Sequence, residues 1–179
     1  MGFERTGGEE VWRGRILSVH VDTFRFDDGE EASREFVRHP GAVGIVAHDG
    51  THLYLVAQPR EAVDEQRLLE LPAGKLDAGE EPLATAKREL AEEIGKGAST
   101  WRPLRSFYLS PGFSDEVMHL FLATGLHDAS LDADENERIE IERVPLAELD
   151  DLIARVEDSK SLVGLLLFRA YGDRGEEAA

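Results

Sequence analysis

The chain has 179 residues, of which 41% are apolar and 32% charged, and it carries a formal net charge of −17 without any cysteine. That size predicts one sizeable core rather than two large domains. The negative charge repels nucleic-acid backbones and anionic membranes over about a Debye length, so neither is an expected partner. The absence of cysteine excludes disulfides, thiolate zinc sites and cysteine nucleophiles, and it suits a reducing, cytoplasmic location.

Both ends of the chain are polar and rich in Gly or Glu, so we expect residues 1–10 and 172–179 to be frayed. The first fifteen residues lack the apolar run of a signal peptide. The longest apolar run, residues 162–168, is far shorter than the roughly 20 residues that span a bilayer. These features predict neither secretion nor membrane insertion.

Strand patterns recur before and after one central helical segment. Loosely alternating residues lead into a turn signal at Asp28-Gly29, and two apolar runs flank a second signal at Asp49-Gly50, which predicts a buried hairpin. The predicted strands are residues 14–21, 23–26, 34–38, 42–47, 53–57, 104–109, 117–123 and 138–144.

Three segments show the signals of helices. The first begins at Pro82, a residue favoured in the first helical turn, and ends at Gly95. Helical spacing also covers residues 145–156, which again open on a proline, and residues 159–171. The order of strands, one helix, strands and two helices predicts a mixed sheet covered by helices in one α/β domain.

The central helix carries an unusual concentration of carboxylates. Glu89 and Glu93 lie one turn apart and therefore point the same way, with Glu92 beside them. Like charges at this spacing repel by roughly 0.2–0.5 kcal/mol per pair. A solvated charged face neutralised by Lys87 and Arg88 would explain the cluster. A magnesium site would also explain it, because a hard cation takes about six oxygen ligands and offsets the repulsion.

The spacing of residues 74–96 favours the metal site. The segment resembles the Nudix box in every position but the last, and the matching residues are Gly74, Glu80, Arg88-Glu89-Leu90, Glu92-Glu93 and Gly95. At the last position Lys96 replaces an aliphatic residue whose role in that family is structural. The resemblance to Nudix hydrolases extends over residues 12–171. It implies a Nudix-type α/β/α sandwich with a mixed central sheet and an N-terminal antiparallel strand region.

The resemblance also implies roles within the box. The reaction would be cleavage of a diphosphate linked to another moiety, with Mg²⁺ or Mn²⁺ held chiefly by Glu89 and Glu93. Glu92 would be a third carboxylate ligand, and the main-chain carbonyl of Ala73 a further one. Arg88 would orient the carboxylates. The residues with structural roles would be Gly74, Glu80, Arg88 and Gly95.

Three segments outside the box resemble the ADP-ribose pyrophosphatase branch of the family. Residues 110–116 (SPGFSDE) carry a proline sixteen residues after the box glycine, and residues 58–74 contain Gln-x-Arg and Leu-Glu-x-Pro-Ala-Gly. Residues 134–140 (DENERIE) form an acidic segment before a strand. Each segment alone could be a turn, a strand end or a solvated loop. Pro59 departs from the branch, which more often has an aromatic residue there.

These segments imply a substrate and its contacts. The substrate would be the nucleoside diphosphate sugar ADP-ribose, hydrolysed to AMP and ribose 5-phosphate. Arg60 would pair with a phosphate or the terminal ribose, and Glu116 would accept hydrogen bonds from ribose hydroxyls. The catalytic base would be Glu135, the first glutamate of Glu-Asn-Glu, with Glu137 as the alternative base and a supporting metal contact.

The same branch forms homodimers by exchanging N-terminal strands. Residues 1–38 show strand patterns without a covering helix, so they would form an N-terminal strand region that serves as a dimerisation arm. Arg34 or Arg38 would reach the site of the neighbouring subunit. Residues 39–172 would form the catalytic domain, and residues 173–179 a flexible tail.

Two other functions stay open. One is hydrolysis of another nucleoside diphosphate sugar or of NADH by the same box. The other is a non-catalytic module that senses ADP-ribose, which the complete set of box carboxylates disfavours. Hydrolysis of messenger-RNA caps is disfavoured by the net charge of −17 and the lack of a basic stripe.

Overall fold

A computed structural model describes residues 2–129 and 138–172. These residues form two compact units. The N-terminal unit consists of residues 2–41 with Phe107–Val117, and the main unit consists of Ala42–Ser106 with the described residues from Met118 onward. No helix within the two described ranges is long and apolar enough to cross a bilayer.

The N-terminal unit contains a three-stranded antiparallel sheet. Its strands, in spatial order, are β1 (Phe3–Arg13), β2 (Ser18–Phe26) and β3 (Glu31–Arg38). The expectation that residues 1–10 are frayed is wrong for residues 3–10, which pair with β2. A polar, glycine-rich segment becomes a strand here because β2 supplies partners for its backbone hydrogen bonds.

A buried carboxylate, Asp22, joins the three strands of this sheet. It accepts hydrogen bonds from Arg5 Nη2 on β1 at 2.8 Å and from Arg38 Nη2 on β3 at 3.1 Å. Two cations thus compensate one buried negative charge, as burial of a carboxylate requires. These side-chain bonds add to the backbone pairing that holds β1 in place.

The main unit contains a seven-stranded mixed sheet. Its strands are β4 (Ala42–His48), β5 (His52–Arg60), β6 (Glu65–Glu70), β7 (Ala73–Lys75), β8 (Lys96–Tyr108), β9 (Val117–Asp128) and β10 (Glu140–Pro145). The order is β10-β5-β4-β9-β8, with β6 beside β5 and β7 beside β4. Strand β4 runs parallel to β9 and antiparallel to β5 and β7, which confirms a mixed sheet.

In the described part of the chain, three α-helices accompany the sheet: α1 (Pro82–Ile94), α2 (Leu149–Arg155) and α3 (Ser159–Tyr171). The predicted start and stop of α1 are confirmed, and Gly95 ends it with a φ of 65°. The predicted start of the second helix at residue 145 is wrong. Pro145 still pairs with His52 in the sheet, and a 3₁₀ turn over Leu146–Glu148 precedes α2.

The core has two layers because successive side chains of a strand point to opposite faces of the sheet. On one face α1 packs in a cluster that includes Val43, Ile45, Ala47, Ala86, Leu90 and Ile94. On the other face α2 and α3 pack in a cluster that includes Val46, Leu53, Leu55, Leu152, Leu165 and Phe168. The predicted α/β/α sandwich is therefore confirmed.

Candidate active site

Helix α1 turns its carboxylates towards the interior of the main unit. Glu89 and Glu93 are buried, with 8% and 7% of their surfaces exposed, and Glu92 is half-buried. A buried carboxylate requires hydrogen bonds or a cation to offset its lost hydration. Lys87 is exposed. The cluster is therefore not the solvated charged face that the sequence also allowed.

Strand β7 approaches α1 closely at Gly74. A Cβ atom at this position would lie 1.9 Å from Glu89 Cδ and 2.0 Å from Glu89 Oε1, so glycine leaves the room that this carboxylate fills. One residue earlier, the Ala73 N–H donates to Glu93 Oε2 at 2.8 Å. The two principal carboxylates are thus held against consecutive residues of one strand.

Arg88 ties three carboxylates together. Its Nη1 donates to Glu89 Oε1 at 2.7 Å and to Glu92 Oε2 at 2.8 Å. Its Nε and Nη2 donate to Glu80 at 3.3 and 3.1 Å. The pKa of Arg88 is raised, first by the hydrogen bond to Glu80 and then by the attraction of Glu89. The guanidinium therefore offsets the repulsion among the box carboxylates and has the geometry that an orienting role requires.

The pair formed by Glu80 and Arg88 makes the stability of the fold depend on pH. The pKa of Glu80 falls from 4.5 to about 2, mainly because Arg88 donates hydrogen bonds to the ionised form. A lowered folded-state pKa stabilises the fold above the unfolded-state value, and the contribution is lost as the pH falls through the folded-state value. The stabilisation by the Glu80–Arg88 pair is therefore lost between pH 4.5 and about pH 2.

We expect Glu80→Gln to lower the free energy of unfolding at pH 7, and the difference from the parent to shrink as the pH falls from 4.5 towards 2. Denaturant unfolding at a series of pH values measures this difference. Glu81→Gln, at the exposed neighbouring residue, is the matched control. A difference for Glu80→Gln that does not change over this pH range would contradict the assignment.

The donor atoms of the box suit a hard divalent cation, because Glu89, Glu92 and Glu93 offer only oxygen. Within residues 2–129 and 138–172, no group of three or more acidic or histidine side chains is placed to hold a metal ion by itself. A cation on this face of α1 would therefore take its remaining ligands from the main chain, water and the substrate, as Mg²⁺ does in phosphate sites.

Arg60, at the end of β5, lies in the same unit as the box. Its Nε and Nη2 each donate to Glu70 at 2.6 Å, and the residue lines a cleft of about 650 Å³. The pKa of Arg60 is raised, first by the hydrogen bond to Glu70, and the Glu93 carboxylate adds a further attraction. The fold thus brings Arg60 within electrostatic reach of the box.

Three further residues predicted to contact substrate lie in the N-terminal unit. Arg34 is exposed, Arg38 is paired with Asp22, and Glu116 Oε1 lies 3.6 Å from His39 Nδ1. Their contacts with substrate stay predictions.

The predicted base residues Glu135 and Glu137, and the predicted tail 173–179, lie outside the described residues. The described chain resumes at Arg138, which lines the same cleft as Arg60.

A buried charged pair, Glu70 and Lys160, lies close to the box. Glu70 is the glutamate of the Leu-Glu-x-Pro-Ala-Gly motif, but no sequence pattern predicted its partner Lys160. Lys160 Nζ donates to Glu70 Oε2 at 2.6 Å, and Glu70 is only 1% exposed. A signal for Glu70 does exist, since a carboxylate within the apolar residues 68–71 is seldom buried without a partner. Lys160 has no such signal, because it stands between two serines at the start of a helix.

Comparison with known proteins agrees with this geometry. A family model described as the NUDIX domain matches residues 37–164. The chain is 36% identical over 161 residues to a methanol dehydrogenase activator of Bacillus methanolicus, covering 88% of this chain and 87% of that protein. It is 40% identical over 174 residues to an ADP-ribose pyrophosphatase of Mycobacterium tuberculosis, covering 94% of this chain and 84% of that protein. A crystal structure of an ADP compounds hydrolase matches with a TM-score of 0.85 and 27% identity, covering 96% of this chain and 94% of the other.

The chain therefore belongs to the Nudix family. Within that family it is a hydrolase similar to the ADP-ribose pyrophosphatases, which confirms the predicted family and the prediction that the protein is an enzyme. Nudix hydrolases generally use divalent metal ions, in agreement with the oxygen donors that α1 presents.

Proposed function

We propose that the protein hydrolyses the diphosphate bond of ADP-ribose to give AMP and ribose 5-phosphate, with Mg²⁺ or Mn²⁺ as its cofactor. The observation that carries the proposal is the pair of buried carboxylates, Glu89 and Glu93, held against Gly74 and the Ala73 N–H of β7. Similarity to the mycobacterial pyrophosphatase over 94% of this chain supports the substrate. A chain without cysteine suits action in the cytoplasm.

The box would hold the cation through Glu89 and Glu93, with Glu92 and the Ala73 carbonyl as further ligands. When bound, a divalent cation neutralises the diphosphate and lowers the pKa of the attacking water. Arg88 donates to Glu89 and Glu92 and so restricts the orientations of both carboxylates before the cation binds.

The remaining residues act on the substrate and the water. Arg60 would bind a phosphate through the three of its five N–H donors that Glu70 does not use. Glu116 would accept hydrogen bonds from ribose hydroxyls. Glu135 would take a proton as the water oxygen bonds to phosphorus, with Glu137 in support. The bond from that phosphorus to the bridging oxygen breaks, and the bridging oxygen leaves with the other phosphate.

A substrate panel tests this function. ADP-ribose, NADH, GDP-mannose, diadenosine polyphosphates and 8-oxo-dGTP are compared at equal concentration with Mg²⁺, and each reaction is repeated with EDTA. We expect the highest kcat/KM for ADP-ribose, AMP and ribose 5-phosphate as products, and no turnover with EDTA. Preference for 8-oxo-dGTP or turnover in EDTA would contradict the proposal.

A second candidate is hydrolysis of a different ADP-linked diphosphate, such as NADH. The match to an ADP compounds hydrolase over 96% of this chain favours it, because that name covers more than one substrate. The same panel separates the two functions by their kcat/KM values. Tight binding of ADP-ribose without turnover of any substrate would instead indicate a sensing module.

We also propose that the protein is a homodimer whose N-terminal strand region, residues 1–38, supplies the dimer contact, with residues 39–172 as the catalytic domain. Strand β1 exposes large apolar side chains, including 71% of Phe3 and 54% of Trp12. Exposed apolar side chains on one strand are typical of an interaction surface. Arg34 or Arg38, which both belong to the same region, would reach the site of the partner.

We expect Trp12→Glu to shift the protein from dimer to monomer in light scattering at micromolar concentration, because a charge would be buried in the dimer contact. Weaker binding of ADP-ribose should accompany the change. Val63→Glu, at an exposed apolar residue of the main unit, should leave the dimer intact. A monomeric parent protein at this concentration would contradict the proposed dimer.

A further inference from the structure

A network of four charged side chains lies immediately before the box, and two of them, Glu70 and Lys160, are buried. Its centre is Glu70, the last residue of β6. Arg60 donates to both Glu70 oxygens at 2.6 Å, and Lys160 Nζ donates to Oε2 at 2.6 Å. Lys160 also donates to Asp158 Oδ2 at 3.0 Å. Two cations and two anions compensate one another, which burial of such groups requires.

The same network joins the start of α3 to the residue after Glu70. Asp158 caps α3 by accepting from the Ser161 N–H at 3.0 Å, and the Ser161 hydroxyl also donates to Asp158. The Ser161 Oγ in turn accepts from the Leu71 N–H at 2.7 Å. Helix α3 therefore anchors two consecutive residues, Glu70 by its side chain and Leu71 by its backbone.

From Leu71 the anchoring continues residue by residue into the box. The Pro72 carbonyl accepts from the Ile45 N–H at 2.8 Å, and the Ala73 N–H donates to Glu93. Each of residues 70–73 thus makes at least one hydrogen bond to another part of the main unit. This segment connects the charged network to Ala73, a predicted metal ligand.

Arg60 connects the network to the cleft. Its Nε and Nη2 edge faces Glu70, so the Nη1 edge is directed away from that carboxylate. The cleft that Arg60 lines also includes Gln58, Gln66 and Arg138. A long arginine side chain loses rotamer entropy when an anion fixes it, so one that is already fixed binds the anion more tightly. The immobility of Arg60 depends in turn on a fixed Glu70.

We propose that Lys160 is a positioning residue, which clamps Glu70 so that Arg60 presents its guanidinium to a phosphate of the nucleoside diphosphate substrate. The inference rests on the proposed function, because it takes Arg60 as the group that binds the substrate. Without the ammonium group, Glu70 Oε2 keeps only its hydrogen bond from Arg60, and the buried carboxylate loses one of its two cationic partners, so Glu70 rotates or draws in water. Arg60 then loses its fixed orientation.

The test compares Lys160→Met, Arg60→Gln and the double variant by steady-state kinetics on ADP-ribose. We expect Lys160→Met to raise KM by about tenfold or more while kcat stays within about threefold, since a binding contact is weakened. In the Arg60→Gln background the same substitution should have little further effect on KM, because the two residues act as one unit. Arg169→Met, which removes an exposed cation from the same helix, is the control and should match the parent.

A merely structural role for Lys160 would give a different result. The variant would then show a lower Tm with an unchanged KM, or its effect on KM would add to that of Arg60→Gln. Either outcome overturns the proposal. If circular dichroism shows that Lys160→Met does not fold, the charge-balanced variant Glu70→Gln/Lys160→Met replaces it in the comparison of single and combined variants. This variant must then raise KM in the same way, and its effect must not add to that of Arg60→Gln.

Calorimetric binding of ADP-ribose in EDTA separates this inference from the proposed function. We expect the Kd of Lys160→Met to rise about as much as its KM. A parent protein that neither binds nor hydrolyses ADP-ribose contradicts the proposed function. The same single and double variants are then compared on the panel substrate that the parent does hydrolyse. A parent that acts on ADP-ribose, with an unchanged Kd for Lys160→Met, contradicts only the positioning role.

Discussion

Replacing Glu93 with Gln is expected to lower kcat on the diphosphate substrate by at least about a hundredfold, because a charged metal ligand is lost from a site whose catalysis is mainly electrostatic. The fold should persist. Glutamine retains an oxygen that can accept the hydrogen bond from the Ala73 N–H, which Glu93 accepts at 2.8 Å. Steady-state kinetics with Mg²⁺ and a thermal unfolding curve measure the two effects separately.

Glu81→Gln is the matched control for Glu93→Gln, since Glu81 precedes the same helix and is exposed. It should leave kcat unchanged. EDTA should abolish the activity of the parent, and added Mg²⁺ or Mn²⁺ should restore it. Near-normal turnover by Glu93→Gln would show that this carboxylate does not hold the cation.

The second large effect is expected at the proposed base. Glu135→Gln should lower kcat by about a hundredfold or more with KM little changed, because a general base acts mainly in the transition state. Glu137→Gln should instead raise the concentration of Mg²⁺ needed for half-maximal activity. The chain that carries these residues re-enters the described structure at Arg138, beside the cleft that Arg60 lines.

Asp134→Asn, in the same acidic segment, is the control for these two variants. Its shorter side chain has no assigned role, so turnover should match that of the parent. If Glu135→Gln and Glu137→Gln both keep kcat within about threefold of the parent, neither is the base. A carboxylate of the box would then be the better candidate.

Local sequence patterns predicted α1 and the box because every signal involved acts over a few neighbouring residues. Pro82 favours the first turn, Leu90 and Ile94 fall on the apolar stripe, and Gly95 ends the helix. Any α-helix places residues four apart on one face. The shared direction of the carboxylates therefore needed no knowledge of the tertiary fold.

The sequence did not predict strand β7, which lacks such local signals. Strand β7 has only three residues, Ala73–Lys75, and exists because β4 offers them an antiparallel partner: Gly74 is paired with Val43. At Pro145, pairing with a neighbouring strand overrides a local helix signal. It was predicted to open a helix, yet pairing with His52 keeps it in β10. A strand depends on partners that come from elsewhere in the chain.

Residue identity and spacing alone were enough to predict the oxygen donors Glu89, Glu92 and Glu93 on one helix, because both are local properties of the sequence. Packing was needed to show which charges compensate one another. Glu70 and Lys160 are 90 residues apart in the chain and meet only because α3 packs beside the end of β6. A contact between such distant residues leaves no periodicity to detect, because it forms only when the sheet and the helix come together.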